Sequence, residues 1–250
     1  MSSRFHLLLA LLFLAMGLPS LRADTWGEAN TAFAAGDYAK ALPLYQNVID
    51  DEGPNASRLF NLGNTYAKLN QTGPALLCFE RAALLAPRDP DIQANLKLTR
   101  PSSAVPGPES PPWWKAPLYW LSLHEWSWIT AIGVILIVLP VLGWGFAFCP
   151  RALFQHSALP VLMTGLAVVA LGSLALSQRR NETLLGIVIS PEATLRLSPF
   201  TEANAVGPLV PGQRVIPSET RDGWAYLTIP GSTLRGWLPQ SEFAALVPRS

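Results

Sequence analysis

The chain has 250 residues, of which 18 are basic and 17 are acidic, so its formal net charge is only +1. Such an even balance offers no net attraction for nucleic acid. Charged residues make up 14% of the chain, well below the usual quarter, and the apolar excess is concentrated at residues 7–18, 129–148 and 158–176. The length leaves room for one large domain or two small ones beside these three blocks.

The first apolar block predicts a secretory signal peptide. It is short, it follows a polar start that contains Arg4, and it is followed by Pro19 and by residues 21–23, which end in Ala23. A basic start, a short apolar stretch and a small residue at the end are the features of a cleaved export signal. We expect residues 1–23 to be this signal and the chain that follows to be exported. A buried core helix is the alternative.

Residues 24–100 predict a helical repeat domain. A self-comparison at a spacing of 34 residues superimposes Ala41 on Ala75 and Tyr45 on Phe79. The tetratricopeptide repeat has this period. The second copy resembles that repeat at eight signature positions, which are Leu59, Leu62, Gly63, Tyr66, Ala75, Phe79, Ala82 and Pro87. We therefore expect two repeats followed by a capping helix.

The resemblance to tetratricopeptide repeats implies protein binding. Each repeat leaves apolar surface for a neighbour to bury, so an array of two repeats implies a partner. In this family the first helix of each repeat lines a concave groove. The groove positions in this chain are Trp26, Asn30, Phe33, Phe60, Asn61, Asn64 and Lys68. The alternative for Trp26 and Phe33 is local packing only.

One subclass of the family binds the terminal carboxylate of a peptide with two asparagines and three basic residues. Asn30 and Asn61 match the spacing of the asparagines. The three basic positions are instead occupied by Trp26, Asp91 and Asn95. Because charge-assisted hydrogen bonds supply most of the affinity for a carboxylate, we do not expect this activity.

A Pro-rich linker at residues 101–117 precedes an interfacial aromatic segment at residues 118–128. Tryptophan and tyrosine combine an apolar ring with one polar group, so they accumulate where lipid tails meet head groups. The residues expected at the membrane interface are Trp113, Trp114, Tyr119, Trp120, Trp126 and Trp128. A sugar-binding aromatic strip is the alternative.

Two transmembrane helices are predicted at residues 129–148 and 158–177, joined by a cytoplasmic loop at residues 149–157. The first has twenty residues without a charge, enough to cross a hydrocarbon layer of ~30 Å. The export signal places both soluble parts outside the cytoplasm. The positive-inside rule supports this orientation poorly, because Arg151 is the only basic residue of the loop.

Small residues recur in both predicted spans. Gly133 lies in the first, and Gly165 and Gly172 lie seven residues apart in the second. Small side chains let two helices approach closely in a membrane. The spacing therefore predicts a packed helix pair, with chance alignment as the alternative.

Residues 182–250 predict a small all-β domain. Short runs alternate between apolar and polar residues and are separated by proline and glycine. The sequences Trp224-Ala225-Tyr226 and Gly236-Trp237-Leu238-Pro239 resemble the bacterial Src-homology-3-like (SH3-like) domain. The resemblance implies a barrel that binds cell-wall peptides or proteins through Trp224, Tyr226 and Trp237. Alternatively, Trp224 and Trp237 belong to the core.

Patterns typical of enzymes are missing from the sequence. The histidines are His6, His124 and His156, and all lie outside both predicted soluble domains. There is no His-Glu-x-x-His motif and no glycine-rich phosphate loop. We therefore predict a protein that is not an enzyme, with no catalytic residue, no metal and no cofactor.

Taken together, the segments predict a multidomain fold: an all-α tetratricopeptide repeat, a two-helix transmembrane hairpin and an all-β SH3-like small barrel. This order resembles the BatE-type proteins of bacterial aerotolerance-related (Bat) clusters. The resemblance implies a periplasmic scaffold in the bacterial inner membrane that works with von Willebrand A-domain Bat proteins and a MoxR-type ATPase. A cell-wall sensor whose barrel binds peptidoglycan is the alternative, and no nucleic acid partner is expected.

Overall fold

The computed structural model describes residues 24–100, 113, 115–145 and 151–247. The predicted signal peptide, Trp114, most of the predicted linker and the first two residues of the predicted loop lie outside the described residues. The helices of the N-terminal part are α1 (Thr25–Ala34), α2 (Tyr38–Glu52), α3 (Ala56–Lys68), α4 (Thr72–Leu85) and α5 (Pro90–Thr99).

Short polar side chains begin most of these helices. The caps of α1, α2, α3 and α5 are Asp24, Asp37, Asn55 and Asp89. For example, Asn55 accepts a hydrogen bond from the backbone N–H of Arg58 at 2.8 Å. Such a bond satisfies an N–H group that the first turn of a helix leaves without a partner. At the other end, α4 stops just before Pro87, which cannot continue a helix.

Small residues let α3 and α4 pack closely. A Cβ atom added to Gly63 would lie 2.7 Å from the Phe79 ring, so only glycine fits at this crossing. Ala75, Phe79 and Ala82 on α4 are fully buried and form a core with α3 and α5. A second core surrounds Tyr45 between α1, α2 and α3. These are the contacts that the repeat signature predicts.

A short helix, α6 (Ala116–Trp120), is followed by two long helices, α7 (Leu123–Gly145) and α8 (Arg151–Thr183). Each long helix contains a stretch that is long and apolar enough to cross a membrane, Leu123–Leu142 and Ala158–Arg180. The protein buries only 11% and 17% of these stretches. A core helix of a soluble domain would instead be covered by protein on most sides.

Both long helices begin before the membrane spans predicted for them. The helix α7 begins at Leu123 rather than at residue 129, because Ser122 and Glu125 cap it. The backbone N–H of Glu125 donates to Ser122 Oγ at 3.2 Å, and the N–H of Ser122 donates to Glu125 Oε2 at 2.7 Å. The helix α8 begins at Arg151, inside the predicted loop, because no glycine or proline interrupts residues 151–157.

Glycine residues mark the contact between α7 and α8. A Cβ atom at Gly165 would lie 2.9 Å from the carbonyl oxygen of Gly133, and one at Gly133 would lie 2.9 Å from the Val168 side chain. Gly172 sits against the side chain of Thr130. The predicted small-residue positions therefore lie in the interface of an antiparallel helix pair.

The C-terminal part is an antiparallel sheet. Its strands are β1 (Gly186–Val188), β2 (Thr194–Arg196), β3 (Ala205–Pro208), β4 (Arg214–Arg221), β5 (Trp224–Thr228), β6 (Arg235–Pro239) and β7 (Phe243–Ala245). Their order is β3-β2-β6-β5-β4-β1-β7. Asp222 and Gly223 have φ values of 50° and 82°, as a two-residue hairpin turn between β4 and β5 requires.

The sheet curls around one core. Val188 on β1 and Leu195 on β2 belong to strands far apart in the sheet order, yet both pack with Val215, Leu227 and Leu238. A flat sheet could not bring them together. The predicted all-β class is therefore correct for this part.

The sheet packs directly on the outer face of α4. A Cβ atom on Gly73 would lie 2.7 Å from the carbonyl oxygen of Val188, so the two backbones nearly touch. Leu77 of α4 shares a small core with Ile187 and Leu246. The helical part and the sheet therefore bury apolar surface against each other.

Both soluble parts lie at one end of the long helices. Arg179, near the end of α8, donates a hydrogen bond to the carbonyl oxygen of Leu121, just before α7. Arg88, beyond α4, pairs with Glu125 at 2.5 Å. The hairpin therefore begins and ends on the same side, as its antiparallel packing requires.

Candidate functional site

The first helices of the repeats, α1 and α3, and the capping helix α5 are joined by a ladder of asparagines. Asn61 Nδ2 donates to Asn30 Oδ1 at 3.3 Å, which links α3 to α1. Asn95 Nδ2 donates to Asn64 Oδ1 at 2.7 Å, which links α5 to α3. These partly buried amides lie on alternate helices, α1, α3 and α5, and amide side chains of this kind have both donors and acceptors for a peptide backbone.

Tyr45 of α2 forms a hydrogen bond with one of these asparagines, Asn30. Its hydroxyl donates to Asn30 Oδ1 at 2.7 Å, and its side chain is buried. Burial raises the pKa of the Tyr45 phenol above its ordinary value of 10.0, so the phenol keeps its proton at neutral pH. The orientation of Asn30 is therefore fixed by a donor that stays in place.

Aromatic side chains flank the asparagines. The Trp26 ring packs edge-on against Tyr45 at 5.4 Å, and the Phe33 ring packs against the same residue at 6.4 Å. Phe60 packs against Phe79 at 5.9 Å. The three rings are half-buried, so they have local packing partners and also retain exposed surface.

Lys68 adds a positive charge at the end of α3, where its side chain is exposed. Asp91 on α5 is exposed, and the side chain of Asn95 is engaged with Asn64. The predicted groove positions and their neighbours therefore carry amides, aromatic rings and a lysine, rather than the cluster of cations that would bind a carboxylate.

A second surface lies on the sheet. Along β5 the side chains alternate, with Ala225 and Leu227 buried and with Trp224 and Tyr226 on the other face. Tyr226 is opposite Trp237 of β6, and the two rings lie 5.4 Å apart. Trp224, Tyr226 and Trp237 therefore form a half-exposed aromatic strip, outside the core of the sheet.

The predicted interfacial aromatics that the structure describes differ in exposure, and Tyr119 is half-buried. Trp113, Trp120 and Trp128 are 86%, 70% and 62% exposed, as a position among lipid head groups requires. Trp126 differs from the prediction, because its ring is buried beside Leu118 and its Nε1 donates to the Leu118 carbonyl at 3.0 Å. It packs the short helix α6 onto the long helices instead of facing lipid.

The charged contacts between the helical part and the sheet were not predicted from the sequence. Glu80 is 7% exposed and accepts hydrogen bonds from Arg214 of the sheet and from Arg100 after α5. Arg81 Nη2 donates to the carbonyl oxygen of Ala245 at 2.8 Å. The sequence of α4 does contain a sign of this contact, because its apolar residues, including Leu76 and Leu77, lie on every side of the helix. A helix of this kind is expected to be covered by other elements on all sides.

The described residues hold little that resembles a catalytic centre. Burial raises the pKa of the Cys78 thiol to about 12, whereas a nucleophilic cysteine needs a lowered pKa. Among the described residues, no group of three His, Cys, Asp or Glu side chains is arranged to hold a metal ion.

Comparison with known proteins agrees with the helical part. Residues 32–97 match the family model of the tetratricopeptide repeat. No curated protein and no solved structure matches the chain. The matched region covers α2 to α4 and most of α5, and the tetratricopeptide repeat is a non-catalytic motif for protein–protein interaction.

Proposed function

We propose that this protein is a non-enzymatic scaffold in the bacterial inner membrane, with its groove and its sheet both in the periplasm. The observation that carries the proposal is the set of linked asparagines on α1, α3 and α5 with its neighbouring aromatic rings, most of which lie within residues 32–97, the region that matches the tetratricopeptide repeat. Both soluble parts also lie at one end of two uncovered apolar helices. A scaffold needs such a combination of a binding groove and an anchor.

The resemblance to BatE-type proteins suggests the partners. We propose that the groove binds a membrane-anchored protein of the von Willebrand A-domain class, in a complex that also contains a MoxR-type ATPase and serves stress or oxygen tolerance. In this arrangement the helices keep the groove near partners in the same membrane. The effective concentration of those partners is therefore raised.

The groove is tested by co-purification of the full chain in mild detergent. We expect Phe60→Ala and Asn64→Ala each to weaken retention of the partner by roughly thirtyfold, because aromatic anchors and paired amides are worth about 2 kcal/mol each. Lys40→Ala, on the exposed side of α2, is the matched control and should retain it. Full retention by both groove variants, with their helical content intact, would contradict the assignment.

The orientation is tested separately. A reporter that is active only outside the cytoplasm, fused after Ser250, should be active in the full chain. Activity of only a cytoplasmic reporter at the same position would refute the periplasmic placement. Retention of the chain in alkali-washed membranes tests the anchor itself.

A cell-wall sensor is the second candidate. The observation that favours it is the half-exposed strip formed by Trp224, Tyr226 and Trp237, since aromatic faces bind sugars and apolar peptide groups well. The full chain in detergent should then sediment with purified peptidoglycan sacculi. Trp237→Ala should abolish sedimentation, whereas Phe60→Ala should leave it unchanged. A scaffold that binds only proteins should not sediment with sacculi, and it should lose its protein partner on Phe60→Ala but not on Trp237→Ala.

A further inference from the structure

A cavity of ≈ 280 Å³ lies where the helical part, the sheet and the end of α8 meet. Its charged lining residues are Arg100, Arg179, Arg214 and Glu80. The cavity is also lined by apolar residues, which include Leu84, Leu96 and Leu185. Each of the three parts of the protein therefore contributes to one mixed polar and apolar space.

The carboxylate in this cavity is shared by two arginines. Glu80 Oε2 accepts from Arg214 Nη2 at 2.6 Å, and Glu80 Oε1 accepts from Arg100 Nη2 at 2.5 Å. The side chain of Glu80 is 8% exposed, and those of Arg100 and Arg214 are 31% and 22% exposed. Two guanidinium groups against one carboxylate leave one net positive charge that water only partly solvates.

The same two arginines have more donors than the described residues around them accept. A guanidinium group has five N–H donors. Within the described parts of the chain, Arg100 donates from Nη2 only, and Arg214 donates from Nε and Nη2 only. Both arginines line the cavity, where an anion with several oxygens can accept further hydrogen bonds from their guanidinium groups.

The cavity lies at the expected level of lipid head groups. Arg179 is next to the end of the apolar stretch Ala158–Arg180, and its guanidinium lies 5.7 Å from the Tyr119 ring in the aromatic segment. Exposed Trp120 and Trp128 lie in the same region of the chain. Arginine side chains next to the head groups of a membrane are attracted to anionic lipids by their charge.

We propose that this cavity binds the phosphate group of an anionic phospholipid, which Arg100 and Arg214 hold through their remaining N–H donors. The apolar wall accommodates the glycerol backbone and the first acyl carbons. The inference rests on the membrane location proposed above. A free phosphate ion has the same chemistry, so the experiment must separate the two sources.

The test uses the full chain in detergent and its thermal unfolding. We expect short-chain phosphatidylglycerol to raise the Tm in a concentration-dependent way, whereas phosphatidylcholine and inorganic phosphate at equal concentration do not. Arg100→Gln should weaken the apparent affinity for phosphatidylglycerol roughly tenfold, because it removes a charge-assisted contact. Arg100→Lys keeps the charge and should keep most of the affinity.

Arg88→Gln is the matched control. Arg88 is also near the start of α7, where it pairs with Glu125, but it is not among the residues that line this cavity. Each shift is measured against the variant's own Tm, so a change in basal stability does not imitate a loss of binding. An affinity for phosphatidylglycerol equal to that of the parent in Arg100→Gln would overturn the proposal.

Two further outcomes would also overturn it. An equal response to phosphatidylcholine would show that lipid tails alone cause the shift, and an equal response to inorganic phosphate would reject a lipid source. Release of the chain from membranes by alkali would instead refute the membrane location. A chain that resists alkali but shows no phosphatidylglycerol response would refute only the lipid site.

Discussion

Glu242, which lies just before β7, has a carboxylate oxygen that is buried in the folded protein. Its Oε2 atom is buried and has no hydrogen-bond partner among the residues that the structure describes. Burial raises the pKa of this carboxyl above its ordinary value of 4.5, and the charge of Arg196 opposes the shift. The folded state therefore holds the proton more tightly than the unfolded chain does.

This shift predicts a pH dependence with a definite sign. The protonated Glu242 side chain stabilises the folded state relative to the ionised one. This contribution to the free energy of unfolding is fully present below pH 4.5 and is lost as the pH rises through the higher pKa of the folded state. We expect Glu242→Gln to raise the Tm at pH 7 and to match the parent below pH 4.5. Thermal unfolding at several pH values measures this. Glu192→Gln, at an exposed position, should show no such gain, and a pH-independent effect of Glu242→Gln would contradict the prediction.

Individual side chains show where sequence reasoning works and where it stops. The spacing of Asn30 and Asn61 matched that of the two asparagines in one subclass of the tetratricopeptide family, and in the structure their side chains form a hydrogen bond between α1 and α3. The inward position of Trp126 could not be predicted, because a tryptophan suits both a core and a lipid interface. The outward position of Trp224 depends on which face of β5 meets the core.

At the scale of helices, local signals set most boundaries. The repeat signature and Pro87 predicted the end of α4 correctly, because both act within a few residues. The helix α7 begins before the apolar stretch that was predicted to cross a membrane, at a cap formed by Ser122 and Glu125 that is readable in the sequence as Ser-x-x-Glu. An apolar stretch indicates the part that crosses a membrane, whereas the helix continues until its caps.

The helix pair α7 and α8 gives a prediction about packing. Gly165 lies against the backbone of Gly133, whose carbonyl oxygen would be 2.9 Å from an added Cβ atom. Since a backbone cannot move aside as a side chain can, we expect Gly165→Leu to force the helices apart at a cost of about 1–3 kcal/mol. The Tm of the full chain in detergent should fall accordingly.

The matched control for this helix is Ala167→Leu. Ala167 is two residues away on an exposed side of α8, so its enlargement meets detergent or lipid instead of α7. It should change the Tm little. If both variants behave alike, the glycines do not determine the contact, and the alternative of a chance alignment would stand.

At the scale of the whole molecule, the main surprise is that the sheet covers the outer face of α4. Two tetratricopeptide repeats expose apolar surface that a neighbouring repeat would normally bury. Here β1 and β7 cover it, through Leu77 and Ile187 and through bonds from Arg81 to the strand β7. Glu80 and Arg214 are 134 residues apart in the chain, so no local pattern could have paired them.

This docking predicts that the helical part and the sheet stabilise each other. Glu80→Arg would place a third guanidinium beside Arg100 and Arg214, and breaking a buried ion pair of this kind costs about 3 kcal/mol. We expect amide hydrogen exchange in β1, β7 and the adjoining face of α4 to become roughly hundredfold faster, since each 1.4 kcal/mol is about tenfold.

The control for this exchange experiment is Glu52→Arg. Glu52 pairs with Arg58 at an exposed position, with 45% of its side chain accessible, and exposed pairs contribute about 0–1 kcal/mol. Exchange at the docked surfaces should then stay near that of the parent. Because β1 follows α8 in the chain almost at once, release of the sheet from α4 would still leave the sheet attached to α8. If Glu80→Arg leaves exchange in β7 unchanged, the sheet is held by that attachment and not by the repeats.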